Sequence, residues 1–586
     1  MRTSLLGLLV LSGLSLLGQE APIRTFRQWM GGQEVGGATR AARRDGTVEE
    51  LRERQWIALS RLGQEIHQEV LQTSRRETGG ALAFSWRLQL STEPFEGRAE
   101  WSPLTPGLLA IHQANGQSLQ REVPAGAILW PGDLEARLRD AARLVRPIHA
   151  VTFSFPTQQW STLQLQPQGP APLPGFPDTV RFTGQESQGP IAMPVELWIS
   201  PAAGEVRHRT ELGGMDMLTQ RSELPPPVSA QPAAGGVFER TLQKLPPHPF
   251  QPWVSEWTLR AEGALPDLPE DGQQSRQSGG RWRLRRAPAP TAEEAAQMPV
   301  KGLAAPDEAR YLASSPLVPF QDPAFDGLMR RLGAPAGLTR WELARRVNTF
   351  VFEWITDKDF SVGFASAREV CHRPRGDCTE HGVLAVALLR RLGVPARGVT
   401  GWVGLGELLG LHFWVEVRLR DRWVPIDPTF DQAPASALRI KLGDTDLADL
   451  GSVGWEVAAT ALSGVRWIPE QGPSPAILGD AVTDPGGIHL RLPKGHWKSE
   501  GGQLRLHQAG TAGSWRVQAV IRPGEAQLKG AIRMAGARSH RQGWWLPESR
   551  LLYLDLGEGR WLQLDGVSES EAYDLLDQLA APTSSS

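Results

Sequence analysis

Cysteine is almost absent from this chain of 586 residues, which holds two, Cys371 and Cys378. Two cysteines cannot staple a scaffold, so folding has to be driven by apolar burial. An excess of one charge is missing too: 62 Lys and Arg against 64 Asp and Glu leave a formal net charge of -2. That balance gives no bulk attraction to nucleic acid or to an anionic lipid surface, and the arginines are scattered among acids rather than gathered in a patch. Beyond the first residues no apolar run is long enough to span a bilayer. Spaced acids ending in Glu, the pattern of a calcium loop, are not found either.

What is present begins with "MRTSLLGLLVLSGLSLLGQEA", where Arg2 precedes an apolar run from Leu5 to Leu17. The run suits the h-region of a secretory signal over residues 1–21, with small residues near Gly18 and Ala21 for cleavage. A buried N-terminal helix is the alternative. The signal reading predicts an extracytoplasmic protein, periplasmic or secreted, with no membrane span after signal removal. In an oxidising compartment, a bridge between Cys371 and Cys378 has to be weighed.

The length calls for several cores. Residues 22–224 alternate in short segments between Gly, Pro and Asp turns. "FRQWMGGQEVGGATRAARRDG" reads as a hairpin, and "GGALAFSWRLQLS" and "IAMPVELWIS" read as strands. One amphipathic helix, Asp133 to Val145, places Leu134, Leu138, Ala141 and Val145 on a face. Past the linker "ELPPPVSAQPAAGG", a smaller β-rich domain over 225–300 carries a polar, Pro- and Gly-rich stretch, "GALPDLPEDGQQSRQSGG", expected to be a flexible loop. Residues 473–586 read as a small α+β domain of strands, closed by a helix with Ser568 and Glu571 in a capping-box pattern. Its tryptophans, Trp544 and Trp545 among them, are expected in the core or in hairpin packing rather than in a ligand cage.

Chemistry concentrates in residues 301–472. "LTRWELARRVNTFVFEWI" spaces Leu343, Val347, Phe350, Val351 and Trp354 as one helix. In "RGDCTEHGVLAVALLRRLGVPARGV", Asp377 or a neighbour can cap a helix that opens at Cys378 and stops at Gly393. A cysteine in a helix's first turn meets the positive end of the macrodipole, which favours the nucleophilic thiolate, and its own N–H can stabilise an oxyanion. A thiol nucleophile needs a base, and the base needs orienting. "HFWVEVRLRDRWVPIDPTF" supplies His412 on one strand of a hairpin and Asp427 at the end of the other, on one face if the turn has two residues. The turn is expected near Asp421–Arg422.

"GDCTEH", "LGVPAR", "HFWVEV" and "WVPIDPTF", in this order, resemble the transglutaminase-like superfamily, and more closely its large secreted bacterial members. "RYLASSPLVPFQDP", "SAREV" and "RIKLGD" fit the same pattern. The resemblance is strong over about Arg310 to Ala461. It implies a papain-like core in a multidomain α+β chain and a catalytic triad of Cys378, His412 and Asp427. It also implies a protein or peptide amide as substrate, attacked through a thioester by an acyl transferase or hydrolase without a cofactor. A catalytically silent module that binds peptide or glycan is the rival from another class.

Other readings of these residues remain open. Cys371 could bridge Cys378. Cys371, His372, Cys378 and His381 have zinc-ligand chemistry but lie in one short stretch rather than two knuckles, so no metal site is expected. His381 is a competing base. Glu380 and Glu416 read as surface or supporting acids, Arg397 as an anchor, and Trp354 as core. The partner donor of an oxyanion hole cannot be assigned from the sequence.

Overall fold

A computed structural model describes residues 21–224, 242–298, 306–448 and 465–471, apart from short stretches within these ranges, and beyond them mainly strands between 476 and 567. The apolar run read as a signal, the linker from Pro225 to Gly236 and the Ser568–Glu571 pattern lie outside the described residues. Among the described residues strands far outnumber helices and fall into several sheets, an α+β architecture. No described helix is long and apolar enough to cross a membrane.

Between Arg24 and Ser222, fifteen described strands form one sheet. Counted along the chain, its order runs from the eighth strand back to the first, then from the fifteenth back to the ninth. The first and last strands therefore pair directly, with Thr25 opposite Ser222. The first strand, Arg24–Met30, and the second, Gln33–Asp45, make the expected hairpin, turned through Gly31 and Gly32 at φ 58° and 85°. The helix α1 (Pro131–Leu144) lays Leu134, Leu138 and Ala141 onto Leu165, Phe182 and Leu197 of the sheet. Val145 is not on that face. It caps the helix in the left-handed region (φ 49°) and is 48% exposed, because the chain turns away there and its N–H closes on Ala141 O.

A second sheet uses β1 (Glu256–Gly263), β2 (Gln274–Gln277) and β3 (Arg281–Arg285). The stretch expected as a flexible loop thus contributes a strand. Gln274 explains the difference: its buried amide donates to Pro269 O and Lys441 O and accepts from Lys441 N, which pins the stretch to a neighbouring sheet.

Among the helices that follow are α2 (Arg340–Trp354), α3 (Ala367–His372) and α4 (Cys378–Arg391). A capping box of Thr339 and Glu342 opens α2. Strands β4 (Ala396–Leu405), β5 (Leu408–Leu419), β6 (Arg422–Ile426) and β7 (Arg439–Thr445) follow, and β8 (Val465–Gln471) closes this part of the chain. β5 lies between β4 and β6, and β7 flanks β4. β8 pairs with β1, so the segment read as a separate domain over 225–300 shares a sheet with residues beyond 464. It also shares one apolar core with β4, β5 and β7 through Trp257, Trp282, Trp402, Leu411, Ile440 and Trp467.

α4 is buried over nearly its whole length and packs on one face of β5. Alternation along β5 sends Phe413, Val415 and Val417 to that face and His412, Trp414 and Glu416 to the other. The Phe413 ring occupies space that only glycine leaves. A Cβ on Gly382 of α4 would lie 2.4 Å from it, and one on Gly398 of β4 would lie 2.3 Å from it. Gly382→Ala should therefore overpack this seam and cost about 1–3 kcal/mol. Urea denaturation should show a lower midpoint at unchanged slope, and an unaltered midpoint would mean that the ring shifts freely.

Candidate active site

Cys378 is the first residue of α4, directly after its cap. The Asp377 carboxylate accepts from Thr379 N at 2.9 Å, and the Glu380 carboxylate reaches back to Asp377 N at 3.0 Å. Glu380 also accepts from Thr379 Oγ1 at 2.9 Å and from Ala365 N at 2.9 Å. It is fully buried, not a surface acid. A carboxylate placed there satisfies amides that would otherwise be stranded at the helix start, which is why burial is tolerated. The cap holds Cys378 at the positive end of the helix, half-buried, while one turn on Gly382 receives the Phe413 ring.

His412 is placed by β5, and Asp427 by the hairpin that follows. Leu419 pairs with Arg422, so the turn has two residues, Arg420 and Asp421, one position earlier than expected. Arg420, not Arg422, takes the left-handed conformation, at φ 54°. Val415 is opposite Ile426, which sets Asp427 diagonal to His412 on the same face. His412 Nε2 and Asp427 Oδ2 are 2.7 Å apart. The imidazole is stacked on Phe430 at 5.1 Å between centroids and lies beside Trp414 at 6.1 Å.

Asp427 is buried completely, and its carboxylate is met by His412 and Arg439. Burial alone would push its pKa up, but the charges of His412 and Arg439 and their hydrogen bonds carry it well below the ordinary carboxylate range. Arg439 Nε donates to Asp427 Oδ2 at 3.0 Å, its Nη2 donates to the same oxygen, and its Nη1 donates to Ser436 O at 3.1 Å. No role for Arg439 came from the sequence, although it stands in "RIKLGD". Two cations, Arg439 and Lys441, at alternate positions of a strand with a buried face were the available signal.

The other residues singled out have settled places. His381 Nδ1 bonds to Asp377 O at 2.6 Å, within its own helix turn. Cys371 and Cys378 are not bridged by a disulfide. Cys371 donates to Ala324 O at 3.1 Å, and burial, helped by Asp322, pushes its pKa up to about 11. Glu416 is buried rather than on the surface, bonded to Lys441 at 3.0 Å and to Arg397 Nε at 2.8 Å. Arg397 also reaches Asp444 at 2.9 Å and lies 4.1 Å from the centre of the Trp423 ring. Trp354 stacks on Phe350 and donates to Val370 O at 3.4 Å.

Residues 327–428 match the transglutaminase-like superfamily. Cys378, His412 and Asp427 all fall inside that segment. No curated protein matches the chain in sequence. Among solved structures, a β-barrel-like protein of unknown function from Brucella abortus is 12% identical, with 34% of this chain and 95% of that one covered at a TM-score of 0.28. A candidate cysteine protease from Cytophaga hutchinsonii is 15% identical, with 39% and 89% covered at a TM-score of 0.23. A candidate protease from Parabacteroides distasonis is 9% identical, with 86% and 94% covered at a TM-score of 0.17.

The Asp427–Arg439 pair predicts a stability signature. Arg439→Met removes one partner of a buried pair and should cost about 3–5 kcal/mol. Because the folded pKa of Asp427 is lowered, its contribution is complete above pH ~4 and is lost as pH falls below that value. Removing Arg439 brings the folded value back toward the unfolded one, so the loss below pH ~4 should shrink. Urea unfolding of both proteins between pH 3 and 7 measures this, and equal acid slopes would show that Arg439 does not set the charge state of Asp427.

Proposed function

We propose that this chain is an exported cysteine-dependent enzyme that transfers or hydrolyses acyl groups of a protein or peptide amide through a thioester. One observation carries the reading: a segment of transglutaminase-like sequence opens a buried helix with Cys378 and, on the strand against that helix, holds an imidazole bonded to a buried carboxylate. A papain-like arrangement of the core accords with the family match.

In this reading the Cys378 sulfur, as thiolate, attacks the carbonyl carbon of the amide, and the C–N bond breaks as the tetrahedral intermediate collapses. His412 receives the thiol proton and gives it to the leaving amine. Asp427, bonded to Nε2, orients the ring so that Nδ1 exchanges the proton, and it stabilises the imidazolium. Arg439 keeps Asp427 anionic throughout. The first-turn amides and the helix dipole stabilise the oxyanion. Water then releases an acid, or an amine forms a new amide. The leader supports export, and the N-terminal sheet supports a role in presenting or restricting the substrate.

Iodoacetamide labelling across pH 5 to 9, read by peptide mass spectrometry, tests the centre directly. Cys378 should react with a midpoint well below the ~8.5 of a free thiol, and His412→Ala should remove that advantage. Turnover of a responsive amide should vanish in Cys378→Ala and fall by about 10²–10⁴-fold in His412→Ala. Labelling that follows an ordinary thiol in both proteins would favour a silent binding module instead.

A further inference from the structure

The segment Ser91–Glu93 joins the strands Leu82–Gln89 and Phe95–Trp101 of the N-terminal sheet. It is bound by a single carboxylate from far along the chain. Glu369, on α3 and 5% exposed, accepts from Thr92 N at 3.1 Å, from Glu93 N at 3.3 Å, and from the hydroxyls of Ser91 and Thr92. Beside it Arg368 Nη2 meets Glu93 Oε2 at 2.8 Å. Beneath these bonds Leu88, Leu90 and Phe95 enter the same apolar cluster as α2, α3 and α4.

Apolar contact alone could dock the sheet here, but it is non-directional. A buried carboxylate is costly unless donors surround it, and four donors from three successive residues also fix the register of the joint. α3 is in turn tied to the start of the cysteine helix. The Ser366 hydroxyl that caps α3 accepts from Glu369 N at 3.2 Å, and the preceding residue, Ala365, donates its N–H to Glu380 Oε1 at 2.9 Å. Glu380 is the carboxylate that closes the cap over Cys378. In the segment between α3 and α4, Gly376 N is held by Asp357 O at 3.0 Å just before that cap.

We propose that Glu369 is a positioning residue for Cys378: it latches the tip of the N-terminal sheet to α3, and α3 holds the capped first turn that carries the thiol. The N-terminal sheet is then a working part of the cysteine centre. This inference rests on the acyl-transfer reading for its purpose, while the latch itself is judged on the thiol alone.

The test compares the full-length parent with Glu369→Gln and with the double change Ser91→Ala, Thr92→Val, which breaks the same joint from the sheet side. Asp377 at the cap, Glu380, His381, Arg390 and Arg391 on α4, and His412, Glu416 and Arg418 on the strand packed against it are unchanged in all three proteins. Iodoacetamide labelling of Cys378 is followed from pH 5 to 9, with melting temperature recorded beside it. Each variant should label about 10-fold more slowly than the parent at neutral pH, as expected for a misplaced reacting group. Combining them should add little more, since both remove one joint. Glu369→Asp, which keeps the charge, should recover part of the rate. Parent-like labelling in both variants, even with lowered melting temperatures, would overturn the latch, leaving Glu369 a docking group only. A parent thiol that titrates like free cysteine would overturn the acyl-transfer reading instead, and the variant-to-parent ratio at each pH would still decide the latch.

Discussion

Phe413 is the wedge on which the arrangement depends. Its ring fills the notch made by Gly382 on α4 and Gly398 on β4, so helix and strand meet at one height and in one rotation. Neighbouring side chains on a strand point to opposite faces, so seating Phe413 against the helix sends His412 to the other face. Cys378 stands one turn before Gly382, and its height relative to β5 is set by the same contact. A dense apolar seam thereby fixes groups whose own interactions are polar.

On the far face of β5 the structure buries charge, and it does so in matched sets. Asp427 is met by His412 and Arg439, and Glu416 by Arg397 and Lys441. Elsewhere in this region buried carboxylates bind the backbone: Glu380 takes amides and a hydroxyl at the helix cap, and Glu369 takes amides and hydroxyls from the N-terminal sheet. The difference has a use. Arg439 holds Asp427 ionised beside an imidazole, whereas amide and hydroxyl partners hold backbone segments in register.

Local signals made much of this legible. The alternating segments of the N-terminal half, the periodicity of α1 and α2, the Asp377 cap and the strand carrying His412 are features of neighbouring residues, and they appear where the pattern puts them. One error is local, at a helix end, and the others fall where distant residues intervene. Val145 fits an apolar stripe, yet the helix has already ended there. The stretch around Gln274 is polar and rich in turn formers, yet Lys441 recruits it into a sheet. From the sequence Glu380 and Glu416 could be either surface or supporting acids, since charge is usually solvated. Their burial depends on donors at Ala365, Arg397 and Lys441 that no local window contains.

The sequence by itself determined which residues could carry chemistry: a cysteine at a capped helix start, a histidine on an amphipathic strand, and an aspartate at the end of the returning strand. These follow from helix and strand periods, which act over a few residues. Only the tertiary structure decided what surrounds them. Arg439 reaches Asp427 across a loop, and the Ser91–Glu93 segment meets Glu369 across 276 to 278 positions of chain. Such pairings are set by how separate sheets pack, and packing depends on the shape of whole surfaces rather than on any short run of residues.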